Sequence, residues 1–231
     1  MLIEDVEHRN VYIFGIVFVI CFVIAAAVIN YFTYSPEDEF VGWELILALV
    51  FWSVQYLPIF VFHKFAKWEI KDFGFVTNYK VFLILVFAAI IVLPYISNLP
   101  KSTFKNALIE AYARTGEEVL FRGFVYELVI KLFKNKKRPW IWAVLISSVM
   151  FTACHSQVLL PTYHTSLTSV FEVALILALF RYWTGSTLFG IIFHIFVNEA
   201  GIYSILFGIL IYYVFVLLAY KKGENVFAER T

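Results

Sequence analysis

Charged residues are scarce in this sequence. Asp, Glu, Lys and Arg make up 15% of its 231 residues, whereas hydrophobic residues make up 62%. Soluble domains of this size usually need about 25% charged residues to cover their surface. The composition therefore argues against a soluble globular protein. The net charge of +1 supplies no basic surface, so nucleic acid is not an expected partner.

Cysteine and the sequence patterns of common metal sites are also rare. The chain has two cysteines, Cys21 and Cys154, and both lie inside apolar runs. Neither a disulfide framework nor a cysteine-rich zinc site is available to it. The metalloprotease pattern His-Glu-x-x-His is absent as well.

What the sequence does contain is long apolar runs. Residues 11–32 carry no charged side chain, and residues 43–62 carry only Glu44. A helix that spans a membrane needs about 20 mostly apolar residues. Both acidic and basic residues precede the first run, which is also longer than the core of a cleavable signal peptide. We therefore expect membrane spans.

The runs and the breakers between them predict an all-α, polytopic membrane helical bundle of about eight transmembrane helices. We expect one integral membrane domain over residues 1–231, with a motif-bearing core at about 103–200. The predicted helices lie at 11–32, 43–62, 79–97, 103–133, 139–160, 166–183, 187–199 and 201–220.

The distribution of Lys and Arg predicts the orientation. If the N-terminus is cytoplasmic, the outer side carries only Lys101 and Lys105, and Arg114 and Arg122 lie within the fourth helix. All other lysines and arginines, including Arg181, then fall on the cytoplasmic side. We therefore expect a multi-pass protein of the cell membrane with both termini in the cytoplasm.

Ionisable residues inside the predicted spans are costly and usually mark function. In the fourth helix, Glu110, Arg114, Glu118 and Arg122 recur every four residues, so they share one stripe and can form a ladder of ion pairs. Glu117 lies about 100° away and need not be used by Arg122. The alternative is an interfacial amphipathic helix with a solvated charged face.

Two further helices contribute His155, and His194 with Asn198 four residues later on the same face. Either histidine alone fits a hydrogen-bonded core residue. Together with the Glu pair, they favour a site. A carboxylate and an imidazole can take a proton from water, while a second His and an Asn amide can stabilise an oxyanion. Zinc binding by the same side chains remains the alternative, since His and Glu are normal zinc ligands.

Three motifs follow one another in the chain: residues 117–123 (EEVLFRG), Phe151 with His155, and His194 with Asn198. In these motifs the sequence resembles the CPBP (Abi) family of intramembrane endopeptidases, which includes CAAX-type and bacteriocin-processing proteases. The resemblance implies an eight-helix bundle in which the motifs meet in a membrane-embedded cavity. It also implies that Glu117 and His155 activate water, that His194 and Asn198 stabilise the oxyanion, and that Glu118 and Arg122 are structural.

The expected activity is hydrolysis of a peptide or protein substrate at the bilayer, without a required cofactor. The rival hypothesis is a non-catalytic membrane immunity or partner-binding protein that uses the same polar residues for packing. An ion-coupled transporter is disfavoured because the chain has no detectable inverted repeat. The motifs give Glu172 no role, the sequence leaves the oligomeric state open, and Cys154 is expected to be a small core residue.

Overall fold

The computed structural model describes residues 6–33, 43–75, 101–161 and 165–200, and every regular element in these ranges is helical. The helices are α1 (Val6–Thr33), α2 (Trp43–Val54), α3 (Leu57–Phe65), α4 (Lys101–Glu118), α5 (Tyr126–Leu132), α6 (Pro139–Cys154), α7 (Leu167–Thr184) and α8 (Thr187–Ala200). A π-helical segment (Val119–Val125) joins α4 to α5, and a 3₁₀ turn (Ser156–Leu159) follows α6. The all-helical prediction is confirmed for the part of the chain described here.

Six of the eight predicted helices fall on described residues, and all six are helical. The predicted helices at 79–97 and 201–220 lie outside the described residues. Within the described ranges, two helices are long and apolar enough to cross a membrane, namely Arg9–Phe32 and Leu167–Thr184. The number of spans stays a prediction.

The second predicted helix is wrong as one continuous element, because the chain turns at Gln55 and Tyr56 between α2 and α3. Pro58 lies in the first turn of α3. Proline has no N–H to donate and its ring collides with the carbonyl four residues earlier, so it is tolerated at a helix start but not inside a helix. The run of apolar residues concealed this break.

The fifth predicted helix also ends earlier than expected. Regular α-helix stops at Cys154, and His155 is its C-cap with φ −94° and ψ 46°. The chain then continues as the 3₁₀ turn instead of reaching residue 160 as an α-helix. His155 therefore lies at the end of a helix, where the last backbone carbonyls have no hydrogen-bond partner within the helix.

The bundle is organised around α6, which packs against α7, α5 and α1, while α4 packs against α8 and α2. Its core is largely aromatic: Phe62 lies between Trp68 and Phe124, with ring centroids 4.8 and 4.7 Å away. At Gly185, the αL conformation (φ 70°) ends α7 and turns the chain into α8, as the glycine predicted. This turn places α8 against the end of α4, where the two glutamates lie.

Candidate active site

The Glu pair lies at a change of helix geometry. Glu117 and Glu118 are the last residues of α4, and the π-helical segment begins at Val119. All seven residues of that segment are buried, including Arg122. π-Helical turns inside α-helices occur frequently at functional sites, because they redirect side chains that a regular helix would fix.

Glu118 is fully buried and held by two cationic or protonatable groups. Its Oε1 lies 3.1 Å from Nη1 of Arg122 and 2.9 Å from Nδ1 of His194. Arg122 is also fully buried, and its Nη2 donates to the backbone carbonyl of Ala174 in α7 at 3.1 Å. The predicted Glu118–Arg122 contact is therefore present, and it connects α4 and the π-helical segment to α7.

His194 lies between the two glutamates. A carboxylate only accepts, so Nδ1 of His194 donates to Glu118, and its Nε2 lies 3.7 Å from Oε2 of Glu117. Its side chain is 4% exposed. Glu118 thus fixes which nitrogen of His194 is directed to Glu117.

Glu117 has a different environment from its neighbour. Its side chain is 14% exposed, whereas that of Glu118 has no exposed surface. Nη1 of Arg114 donates to both of its oxygens, at 3.0 and 3.3 Å. The sequence predicted a ladder through Glu110, Arg114, Glu118 and Arg122, but the side chain of Glu110 lies outside the described part of the structure. The contact between Arg114 and Glu117 was not predicted. The guanidinium of Arg114 pairs with the residue three positions later in the helix, and not with the residue four positions later.

His155 stands at the end of α6 with one nitrogen already occupied. Its Nδ1 donates to the carbonyl of Phe151 at 2.9 Å, which leaves the lone pair of the neutral ring on Nε2. The ring packs on Phe151 at 4.5 Å, and Phe151 also lies 5.6 Å from the ring of His194. One aromatic side chain thus packs against both imidazoles. Glu117 interacts electrostatically with both histidines.

Asn198 lies in α8, one turn after His194. Its side chain is outside the described part of the structure, so its proposed role stays a prediction. Glu172, which the motifs left unassigned, lies on an exposed part of α7. Cys154 is buried in the hydrophobic core, as expected.

Gly190 is a site residue that the sequence analysis missed. A Cβ at this position would lie 2.6 Å from Oε2 of Glu118, so any larger residue would require that carboxylate to shift. The sequence did contain a signal for it, because Gly190 precedes His194 by four residues and therefore shares its helix face.

The described side chains also bear on the zinc alternative. Among them, no group of three or more His, Cys, Asp or Glu is arranged to hold a metal ion. Oε1 of Glu118 and Nδ1 of His194 are instead bonded to each other. The arrangement that is present is one of carboxylates, imidazoles and guanidinium groups.

A family model for type II CAAX prenyl endopeptidases, Rce1-like, matches residues 79–200, which is more than half of the 231 residues. The chain belongs to the Rce1-like family. The resemblance to CPBP endopeptidases is thereby confirmed. No curated protein and no solved structure matches the chain.

Membership of the Rce1-like family makes this chain a peptidase of a membrane-embedded family, with a peptide or protein substrate at the membrane. The matched region includes α4 to α8 and therefore all six predicted site residues. It begins after α1, α2 and α3, which fold against the site without being part of the match.

Proposed function

We propose that this Rce1-like protein hydrolyses a peptide bond by direct attack of a water molecule that Glu117 and His155 activate. The difference between the two adjacent carboxylates is the observation that carries the proposal. Glu118 is fully buried and bound to Arg122 and His194, whereas Glu117 keeps 14% of its side chain exposed. Glu117 is thus the carboxylate that a water molecule can reach.

The proposed reaction uses the lone pair on Nε2 of His155 to hold the water and Glu117 to accept its proton. The water oxygen bonds to the carbonyl carbon of the substrate and forms a tetrahedral oxyanion. The C–N bond then breaks, and the proton on Glu117 passes to the leaving amine. The second proton of the water then leaves the new carboxylic acid for the amine, so one water molecule is consumed and one carboxylate and one ammonium end are formed.

We assign the oxyanion to His194 and Asn198, as the motifs suggest. His194 already donates from Nδ1 to Glu118, so it donates from Nε2 as well only when the ring is protonated. Carboxylate oxygens 2.9 Å and 3.7 Å from its two nitrogens balance that positive charge. Donors aimed at developing negative charge in a site without bulk water contribute strongly to catalysis.

A peptide with a prenylated C-terminal CAAX motif is the first substrate class to test, because the description of the matched family names it. Bacteriocin leaders and signalling peptides are the other classes that the resemblance allows. The same peptide without its isoprenoid group shows whether the lipid is required.

The test measures cleavage of a farnesylated C-terminal peptide by the purified full chain. We expect Glu117→Gln and His155→Gln each to lower kcat by about 100-fold or more. Two matched controls change the same residue types at exposed positions: Glu69→Gln removes a carboxylate paired with Lys71, and His63→Gln removes a ring bonded to the Trp68 carbonyl. The controls should keep kcat within about twofold, because surface substitutions usually change little. Full activity of either site variant would refute the assignment.

The rival function, a non-catalytic immunity or partner-binding role, gives a different outcome. Glu117→Gln preserves the shape of the side chain, so protection or partner binding should survive it if the fold survives. Loss of cleavage and of protection together in this variant supports catalysis, and protection without cleavage supports the rival.

A further inference from the structure

Asn30 in α1 makes a contact at the end of α6 that the proposed mechanism does not use. Its Nδ2 donates to the backbone carbonyl of Cys154 at 2.6 Å. Cys154 is the last residue of α6, so its carbonyl has no partner within the helix. Asn30 is also the one amide side chain in the apolar run at 11–32. A polar side chain placed there has a cost in lipid, which its contact to α6 offsets.

The contact acts on the peptide group that carries His155. The carbonyl side of the Cys154–His155 peptide is held by Asn30, and its N–H donates to the carbonyl of Thr152 at 3.0 Å. The peptide plane is thus fixed from both sides. On the next residue, the hydroxyl of Ser156 donates to the carbonyl of Ala27, one turn before Asn30 on α1. Two successive turns of α1 therefore hold the backbone on both sides of His155.

The ring of His155 follows this backbone. Its Nδ1 is bonded to the Phe151 carbonyl and its face packs on the Phe151 ring, so little rotation is left to the side chain. A shift of the Cys154–His155 peptide consequently moves Nε2, the atom that would hold the water. Displacements of about 1 Å in a catalytic group can lower the rate by about 100-fold.

We propose that Asn30 is a positioning residue for His155, and that α1 is therefore part of the catalytic unit although it lies outside the region matched by the family model. This inference rests on the proposed role of His155. It differs from simple helix packing in one respect: loss of the amide should displace the imidazole before it unfolds the protein.

The experiment compares three variants of the full chain. Asn30→Leu keeps the approximate volume and removes the donor, and Asn30→Gln keeps an amide donor. Val19→Ala is the matched packing control, because Val19 is a core residue of α1 at 2% exposure. On the farnesylated peptide, we expect Asn30→Leu to lower kcat by about 10- to 100-fold with KM within about twofold. Asn30→Gln should recover part of kcat, and Val19→Ala should lower the melting temperature while kcat stays near that of wild type.

A second measurement monitors the imidazole ring of His155 directly, by NMR of protein with ¹⁵N-labelled histidine. The His155 signals are identified by their loss in His155→Gln. In Asn30→Leu we expect the Nδ1 and Nε2 shifts of His155 to change, while those of His63, also bonded through Nδ1 to a carbonyl, stay constant.

Unchanged kcat and unchanged His155 signals in Asn30→Leu would overturn the inference. If kcat falls in proportion to the fall in melting temperature, and does so to the same extent in Asn30→Leu and Val19→Ala, Asn30 contributes to packing alone. If wild type does not cleave the peptide, the proposed function fails for that substrate, and the NMR comparison still decides whether Asn30 positions His155.

Discussion

At the scale of single residues, the site depends on two adjacent glutamates with opposite environments. Neighbouring residues on a helix point about 100° apart, so Glu118 is directed into the bundle towards Arg122, while Glu117 is directed to Arg114. His194 reaches both carboxylates from α8. This geometry makes Glu118 the group that orients His194, in the way a carboxylate orients the histidine of a catalytic triad.

The first residue-scale prediction concerns Glu118. We expect Glu118→Gln to lower the free energy of unfolding by about 3–5 kcal/mol, because it leaves the guanidinium of Arg122 buried without a counter-charge. Denaturant unfolding in detergent, followed by tryptophan fluorescence, measures the change. An unaltered unfolding midpoint would contradict the prediction.

The double variant Glu118→Leu with Arg122→Met separates stability from catalysis. Replacing both members of a buried ion pair by apolar residues of similar volume is often neutral or stabilising. We therefore expect most of the stability to return. Activity should stay low, since Nδ1 of His194 has lost its acceptor. Wild-type kcat in this double variant would exclude an orienting role for Glu118.

The sequence predicted which residue types meet, but it predicted their partners only in part. The spacing of four residues correctly paired Glu118 with Arg122. The same spacing could not assign Arg114, because positions i+3 and i+4 are both within reach of a guanidinium. The contact between His194 and Glu118 joins residues 76 positions apart, and periodicity within a helix contains no information about it.

At the scale of elements, the errors lie at helix ends. Apolar runs predicted the helices well, yet hydrophobicity is insensitive to the break before Pro58 and to the end of α6 at Cys154. The π-helical segment was also not predictable from pattern, because all of its residues are buried and no polar face marks its period. In all three cases the backbone conformation changes while the side chains stay apolar or buried, so hydrophobicity alone does not detect the change.

Arg181 has a structural role that the charge count did not predict. Its assignment to the cytoplasmic side stays a prediction, and within the bundle the residue is only 4% exposed. Its guanidinium donates to the carbonyls of Arg122 and Asp72, both at 3.1 Å, and to that of Gly185. It therefore joins three segments: the π-helical segment, the loop after α3 and the turn between α7 and α8.

The element-scale prediction follows from these contacts. We expect Arg181→Lys to lower the free energy of unfolding by about 2–4 kcal/mol, because an ammonium group cannot reproduce the planar donors that reach three carbonyls. Lys131→Met is the matched control: this lysine lies 3.5 Å from Glu127 and 3.8 Å from Asp72, but its side chain is 30% exposed. Its loss should cost at most about 1 kcal/mol. Equal effects of the two substitutions in the same unfolding assay would contradict the assignment.

At the scale of the whole molecule, the continuous helical run from α4 to α5 relates the site to the bilayer. Its three parts contain 18, 7 and 7 residues, which gives a length of at most about 48 Å at the α-helical rise of 1.5 Å per residue. A bilayer with its headgroups is about 40–45 Å thick. Glu117 lies about 24 Å from Lys101 along this run, and His155 lies about 24 Å from Pro139 along α6. If Lys101 and Pro139 lie at opposite surfaces, the two side chains share one depth near the middle of the membrane.

The shared depth depends on the predicted orientation, and labelling of single cysteines tests it. In a background where Cys21 and Cys154 are replaced by alanine, Lys101→Cys and Lys136→Cys mark the two ends of the helical run. We expect a membrane-impermeant maleimide to label Lys101→Cys in intact cells and to label Lys136→Cys only after the membrane is opened, because Lys and Arg collect on the cytoplasmic side. Labelling of both positions in intact cells would mean that the run does not cross the bilayer. The Glu pair would then lie at an interface, as the amphipathic alternative requires, and a mid-membrane site would be wrong.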